Sequence, residues 1–300
     1  MDFVHLQCQS EYSVKNSLVR ISNLIDSVKE AGMTSVALTD DMSLFSAIKF
    51  YQKAINAGIK PIIGAKISVD FDLGHYDVLL LCQNHEGYLN LSELISKAYL
   101  NEQGISVVSV TEEQLVSHQK GLLMISTPIS SDVSQLLLEN ELELAHTKAT
   151  YWQSIFHDRY YISVQRTDRH SDENLLNLII NLGLKLDIPI VATNDVQFLK
   201  KSDFDAHEAR ICIAEGGLLD DARRLKFFSE SQYLKSADEM SELFNDYPLL
   251  IENASEVAKR CNFHFKLFEK NYLPAFPTPK GKSIAEFFSE ESNKGLQIRL

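Results

Sequence analysis

Residues 35–69 read SVALTDDMSLFSAIKFYQKAINAGIKPIIGAKISV. Two short runs rich in Val, Ile and Leu, residues 35–40 and 61–69, bracket a stretch at 44–57 whose apolar residues recur at helical spacing. Gly58 then supplies the left-handed stop that helices favour. The segment is a strand, a helix and a second strand. Outward from it the same alternation recurs, with FVHLQC (3–8) before and DVLLLC (77–82), GLLMIS (121–126), YYISV (160–164) and PIVATN (189–194) after. Further helical stretches fall at 22–31, 88–100, 133–156 and 171–186. Seven strand candidates alternating with helices imply an α/β fold of parallel strands joined by helical crossovers, closed as a barrel. Chemistry in such a barrel sits just past the C-terminal ends of its strands.

From 202 to 261 the pattern is helical, at 204–214, 237–244 and 248–261, and these helices are kept on the same domain. The run YLPAFPTPKG (272–281) alternates prolines that enforce an extended path, and an amphipathic stretch at 283–300 follows without a closing cap. The expected division is residues 1–270 as the main domain and 271–300 as a connector with one helix, cut from a longer protein. The 45% hydrophobic content of 300 residues fills one large core, and the net charge of -12 repels a phosphate backbone. DNA is thus not expected to bind this segment directly. Cys8, Cys82, Cys212 and Cys261 form no C-x-x-C pair, which speaks against structural zinc or a disulfide framework. With neither a leader nor an apolar run long enough to span a bilayer, the expected location is the cytoplasm, with no membrane partner.

The strand ends carry the candidate chemistry. The first run ends in HLQCQSEYS, where alternation puts residues 5, 7 and 9 on one side and His5 is the one imidazole. A lone histidine is more often structural than a ligand. Asp40 and Asp41 end the second run; together they suit a hard cation, or Thr39 or Asp40 caps the helix that starts near Leu44. Lys66 after the third run puts a cation where a ligand would be wanted. Asp77 leads the fourth run, the fifth ends in Ser126-Thr127-Pro128, and Asp195 follows the seventh as a ligand or a cap. No Walker loop, H-E-x-x-H, G-x-S-x-G or G-x-G-x-x-G occurs.

FVHLQCQSEYS, residues 35–69, NHEGYLNLSELISKAY, PIVATNDVQFLKKSDFDAHEARICI and YLPAFPTPKG together resemble the N-terminal region of the bacterial C-family replicative polymerases, the DNA polymerase III alpha subunits. The similarity runs over essentially the whole chain. It implies a polymerase-and-histidinol-phosphatase (PHP) domain: a distorted, TIM-like (β/α)7 barrel with extra C-terminal helices, followed by a connector toward the polymerase palm. Active members hold a metal cluster through about nine His, Asp, Glu and Cys ligands. Carried over, the H-x-H pair falls on Gln7 and Gln9, the T-D-H-G histidine on Asp41, the glutamate after G-A on Lys66 and the fourth-strand histidine on Asp77. The fifth-strand cysteine falls on Pro128 and the N-D-V-H histidine on Gln197, so that only Asp40 and Asp195 keep the family's ligand type.

What the resemblance implies is a parent DNA-directed DNA polymerase whose Mg²⁺ chemistry lies in a palm beyond residue 300. This segment would then be a catalytically inactive module, with no metal or cofactor of its own, that stabilises the polymerase and docks a separate epsilon-type proofreading exonuclease. The remainder of the alpha subunit is a second partner, and DNA is met through other domains. A residual Mg²⁺ or Mn²⁺ phosphoesterase or 3′–5′ exonuclease on Asp40, Asp41, Asp77 and Asp195 is the rival reading. A free-standing phosphatase is a third, at odds with the proline-rich connector. Lys66 is expected among those four aspartates, in the place of the metals. Aromatic residues at 151–156 or Phe227-Phe228 are candidate docking anchors, or else core.

Overall fold

The computed structural model describes residues 3–71, 74–101, 108–219, 227–267, 269, 274 and 276–300. Residues 270–273 and 275, which include the start of the proline-rich connector, lie outside them. Two compact units are present, Met1–His264 and Phe265–Leu300.

The first unit runs α1 (Ile21–Glu30), β1 (Ser35–Asp41), α2 (Ala47–Ala57), β2 (Lys60–Phe71), β3 (Gly74–Cys82), α3 (His85–Asn101), β4 (Val110–Thr111) and α4 (Glu112–Ser117). It continues with β5 (Leu122–Ser126), α5 (Asp132–Leu138), α6 (Leu142–Phe156), β6 (Tyr160–Val164), α7 (Asp172–Leu186), β7 (Ile190–Ala192), α8 (Phe204–Glu215), α9 (Ala237–Leu243) and α10 (Pro248–Arg260). One sheet follows the order β1-β2-β3-β5-β6-β7, with β4 on β2. Its strands are nearly all buried, and the helices turn apolar stripes onto it, such as Leu24, Ile25 and Val28 of α1 and Phe50 and Ala54 of α2. Gly58 ends α2 at φ 76, as its position after the apolar run predicts.

Three expectations change. First, β2 pairs antiparallel with β3, and β3 antiparallel with β5, in a sheet that is otherwise parallel. Only two residues separate Phe71 from Gly74, far too few for a crossover, so β3 must reverse. Second, FVHLQC is not a regular strand. It lies extended between the two edges of the sheet: the N–H groups of Ala37 and Thr39 donate to the His5 and Cys8 carbonyls at 2.9 and 2.8 Å. On its other side Gln9 N–H donates to Val196 O and Val196 N–H to Gln7 O, at 3.1 and 3.0 Å. Three residues of this segment match two of β1, a bulge that breaks strict alternation while the segment still curls the sheet toward closure. Third, the stretch at 133–156 is two helices, α5 and α6, parted at Asn140, whose φ of 63 is left-handed.

The second unit carries α11 (Ile284–Arg299), whose N-terminus is closed by a reciprocal box between Ser283 and Glu286. Phe276 stacks on Phe287 beside it. No helix among the described residues is long and apolar enough to cross a membrane.

Candidate functional site

The C-terminal ends of the parallel strands surround a cavity of about 890 Å³, lined among others by Gln7, Lys66, Asp77, Pro128, Asp195 and Gln197. The reversal of β3 is what brings Asp77 here. In a strand running the common way a leading residue would face the opposite end of the barrel, but β3 runs backwards and its first half lies level with Ser126 at the end of β5.

Asp40 and Asp41 point to different sides of the end of β1. Asp40 is sealed, 1% exposed, in a shell of donors. Ser10 N–H and Ser13 Oγ donate to its Oδ1 at 2.6 and 2.8 Å, and Ser10 Oγ and Ser46 Oγ donate to its Oδ2 at 2.8 and 2.5 Å. The alternative that Thr39 or Asp40 caps α2 fails: the helix begins at Ala47 without a side-chain cap, Ser46 is bound to Asp40, and Thr39 holds the Cys8 backbone.

Lys66 stands on β2 directly across from Asp41 of β1 and diagonally from Asp77 of β3, which pairs with Ser68. Its Nζ is 3.4 Å from Asp41 Oδ1 and 3.4 Å from Asp77 Oδ2. Ser68 Oγ also donates to Asp77 at 2.7 Å. Burial by itself would depress the Lys66 ammonium, but Asp77, Asp41 and more distantly Asp195 outweigh it and hold the proton more firmly than usual. Burial pushes the Asp41 carboxyl up, against the pull of Lys66 and with added repulsion from Asp77. Asp40, expected beside Lys66, faces its serines instead.

Asp195 is clamped by amides. Gln7 and Gln197 each donate through Nε2 to its Oδ1 at 2.8 Å, and Gln232 donates to Oδ2 at 2.9 Å. Its φ of 46 is a left-handed conformation that aspartate tolerates, and it caps no helix. The carboxamide oxygens of Gln7, Gln9 and Gln197 are buried without a partner among the described residues. His5 parts company with Gln7 at the bulge: its Nε2 lies 2.8 Å from Lys235 O, away from the cavity. Burial lowers its pKa to about 4.

These donors do not fit a metal cluster. A transition metal needs imidazole or thiolate where this site offers amide oxygens and a proline ring, and a pair of hard cations cannot share the space of an ammonium. Among the described residues no group of three or more His, Cys, Asp and Glu stands close enough to hold an ion. All four cysteines are free and buried. The serine shell and Gln232 were missed from sequence. Serines recur in SEYS and DMSLFS, a weak signal, whereas Gln232 is brought in from a segment with no motif at all. Of the candidate anchors, Trp152 and Phe156 are core, Tyr151 is 39% exposed, and Phe227 is 57% exposed at the cavity wall.

The family model described as "PHP domain" matches residues 5–167. Proteins named DNA polymerase III subunit alpha are similar throughout: that of Pseudomonas fluorescens is 44% identical over 301 residues, covering 99% of this chain and 26% of the relative. That of Escherichia coli strain K12 is 38% identical over 301 residues with the same coverage. The chain spans about a quarter of the length of these curated relatives. Among solved structures, a putative metal-dependent phosphoesterase from Bifidobacterium adolescentis aligns at TM-score 0.44 and 10% identity, over 64% of this chain and 86% of that one.

Proposed function

The chain belongs to the PHP domain family, and on that premise we propose that it is the N-terminal part of a replicative DNA polymerase alpha subunit, working as a non-catalytic module. In this reading the parent carries out DNA-templated synthesis through a palm outside the chain, in the cytoplasm. The module stabilises the remainder of the subunit and docks an epsilon-type proofreading exonuclease. One observation carries the non-catalytic part: every carboxylate at the old metal positions has a partner that is not a metal. Asp40 has hydroxyls, Asp41 and Asp77 share an ammonium, and Asp195 has three amides. The rival, a metal-dependent phosphoesterase, needs at least one ion to polarise the phosphoryl group or ready a water, and each of these carboxylates is already engaged by the chain.

The test is the metal content and 3′-exonuclease activity of the purified chain, with and without Mn²⁺, Mg²⁺ and Zn²⁺. Metal-free, inactive protein is expected. Stoichiometric metal together with cleavage abolished by Asp195→Asn would replace the module reading with that of a working nuclease. The docking half is checked by co-purification with the exonuclease subunit of the same organism, and a complete lack of association would remove it.

A further inference from the structure

Lys66 has a place in the fold that a surface lysine would not have. It sits on a central strand, and each of its two neighbouring strands presents a carboxylate to it, Asp41 from β1 and Asp77 from β3. The side chain is 17% exposed, Asp77 19% and Asp41 36%. Two carboxylates brought to one ammonium from either side repel each other, and a cation between them is the usual remedy. Here that cation is an ammonium attached to the chain.

We propose that the Lys66 ammonium is a built-in replacement for a divalent cation, so that removing it leaves a mouth that needs, and takes up, a free cation between Asp41 and Asp77. The charge count supports this. One ammonium against two carboxylates leaves the group with one negative charge in excess, and burial already pushes the Asp41 carboxyl up. Taking the ammonium away would leave two uncompensated acids facing each other. The neighbouring Asp195 is a third acid and offers them no relief; its own oxygens are held by Gln7, Gln197 and Gln232.

This inference rests on the reading that the unaltered mouth holds no metal, and the two fail separately. Stoichiometric metal in the unaltered chain would sink that reading. Melting of the variants decides the present one. Lys66→Ala should melt roughly 5–10 °C lower than the parent, the scale of a broken part-buried ion pair in a chain of this size. Addition of about 10 mM MnCl₂, enough to fill a loose site, should raise the melting temperature of Lys66→Ala and leave that of the parent unmoved. Lys66→Ala combined with Asp77→Asn should recover most of the loss without any ion, since the repulsion is gone. If Lys66→Ala is too unstable to purify, the double variant decides alone: folding near the parent's melting temperature supports the proposal, and failure to fold overturns it. An unchanged melting temperature in Lys66→Ala, or the same response to Mn²⁺ in variant and parent, also overturns it.

Discussion

Asp40 and Asp41 are consecutive in the chain, yet one lies sealed within serine hydroxyls and the other leans over an open cavity toward an ammonium. Asp40 is bound by short hydrogen bonds and is 1% exposed, and His5, held by Lys235 O, is another sealed polar side chain. The mouth is a region of longer ion pairs, 3.4 Å each, with partly exposed partners. The contrast shows two ways in which one domain accommodates adjacent acids. Hydroxyl donors solve the problem where the site is tight. A tethered ammonium serves where the site is open, and such pairs contribute less because solvent already screens them.

The widest gap between the regions should appear when Asp40 is removed. Asp40→Ala strands three serine hydroxyls and a backbone N–H in a space without water, and should cost roughly 3–5 kcal/mol, enough to reduce soluble yield sharply. Chemical denaturation of the variant against the parent measures it. A loss below about 1 kcal/mol would mean that the serine shell is no tighter than the mouth, and the comparison would collapse.

His5, sealed among other residues than Asp40, should make the domain acid-sensitive. His5 has an ordinary value near 6.5 and a folded value of about 4, because burial disfavours its charged form. The unfolded chain therefore binds a proton that the folded one refuses. Stability falls as pH drops from about 6.5 to 4, by about 3 kcal/mol from this group alone. Comparing the pH dependence of denaturation for the parent and His5→Gln isolates the effect, since titrations common to both cancel. Parallel curves between pH 7 and 4 would show that His5 charges freely and that its surroundings are wetter than its burial indicates.

The two regions were not equally legible in the sequence. The strand ends fell where their apolar runs stopped, so Asp40, Asp41, Lys66 and Asp195 could be placed at one end of the barrel from periodicity alone. Asp77 could not, because the rule that chemistry follows a strand assumes that all strands run one way, and the two-residue link before Gly74 breaks that assumption. The bulge in the first segment was equally hidden. It parts His5 from Gln7, and alternation read over six residues has no means of announcing an extra one. Gln232 was out of reach for a different reason, since a carboxamide that meets Asp195 from a distant loop leaves no local pattern.

The smallest effect should come from Asp41→Asn, a change one step along the chain from Asp40. Burial raises the Asp41 carboxyl above its ordinary value even though Lys66 is adjacent. A carboxyl raised in the folded state contributes stability below its unfolded pKa and loses it as pH rises through the folded one, so at neutral pH its charge is held at a cost. The amide removes that charge and leaves Lys66 and Asp77 as a neutral pair. Asp41→Asn should therefore change stability at pH 7 by less than about 1 kcal/mol, in either direction. Near pH 3, where the parent's Asp41 is already protonated, the two proteins should be closer still. A loss at pH 7 as large as that of Asp40→Ala would show that both carboxylates of the mouth are needed to hold the ammonium, and that it is as tightly built as the shell around Asp40.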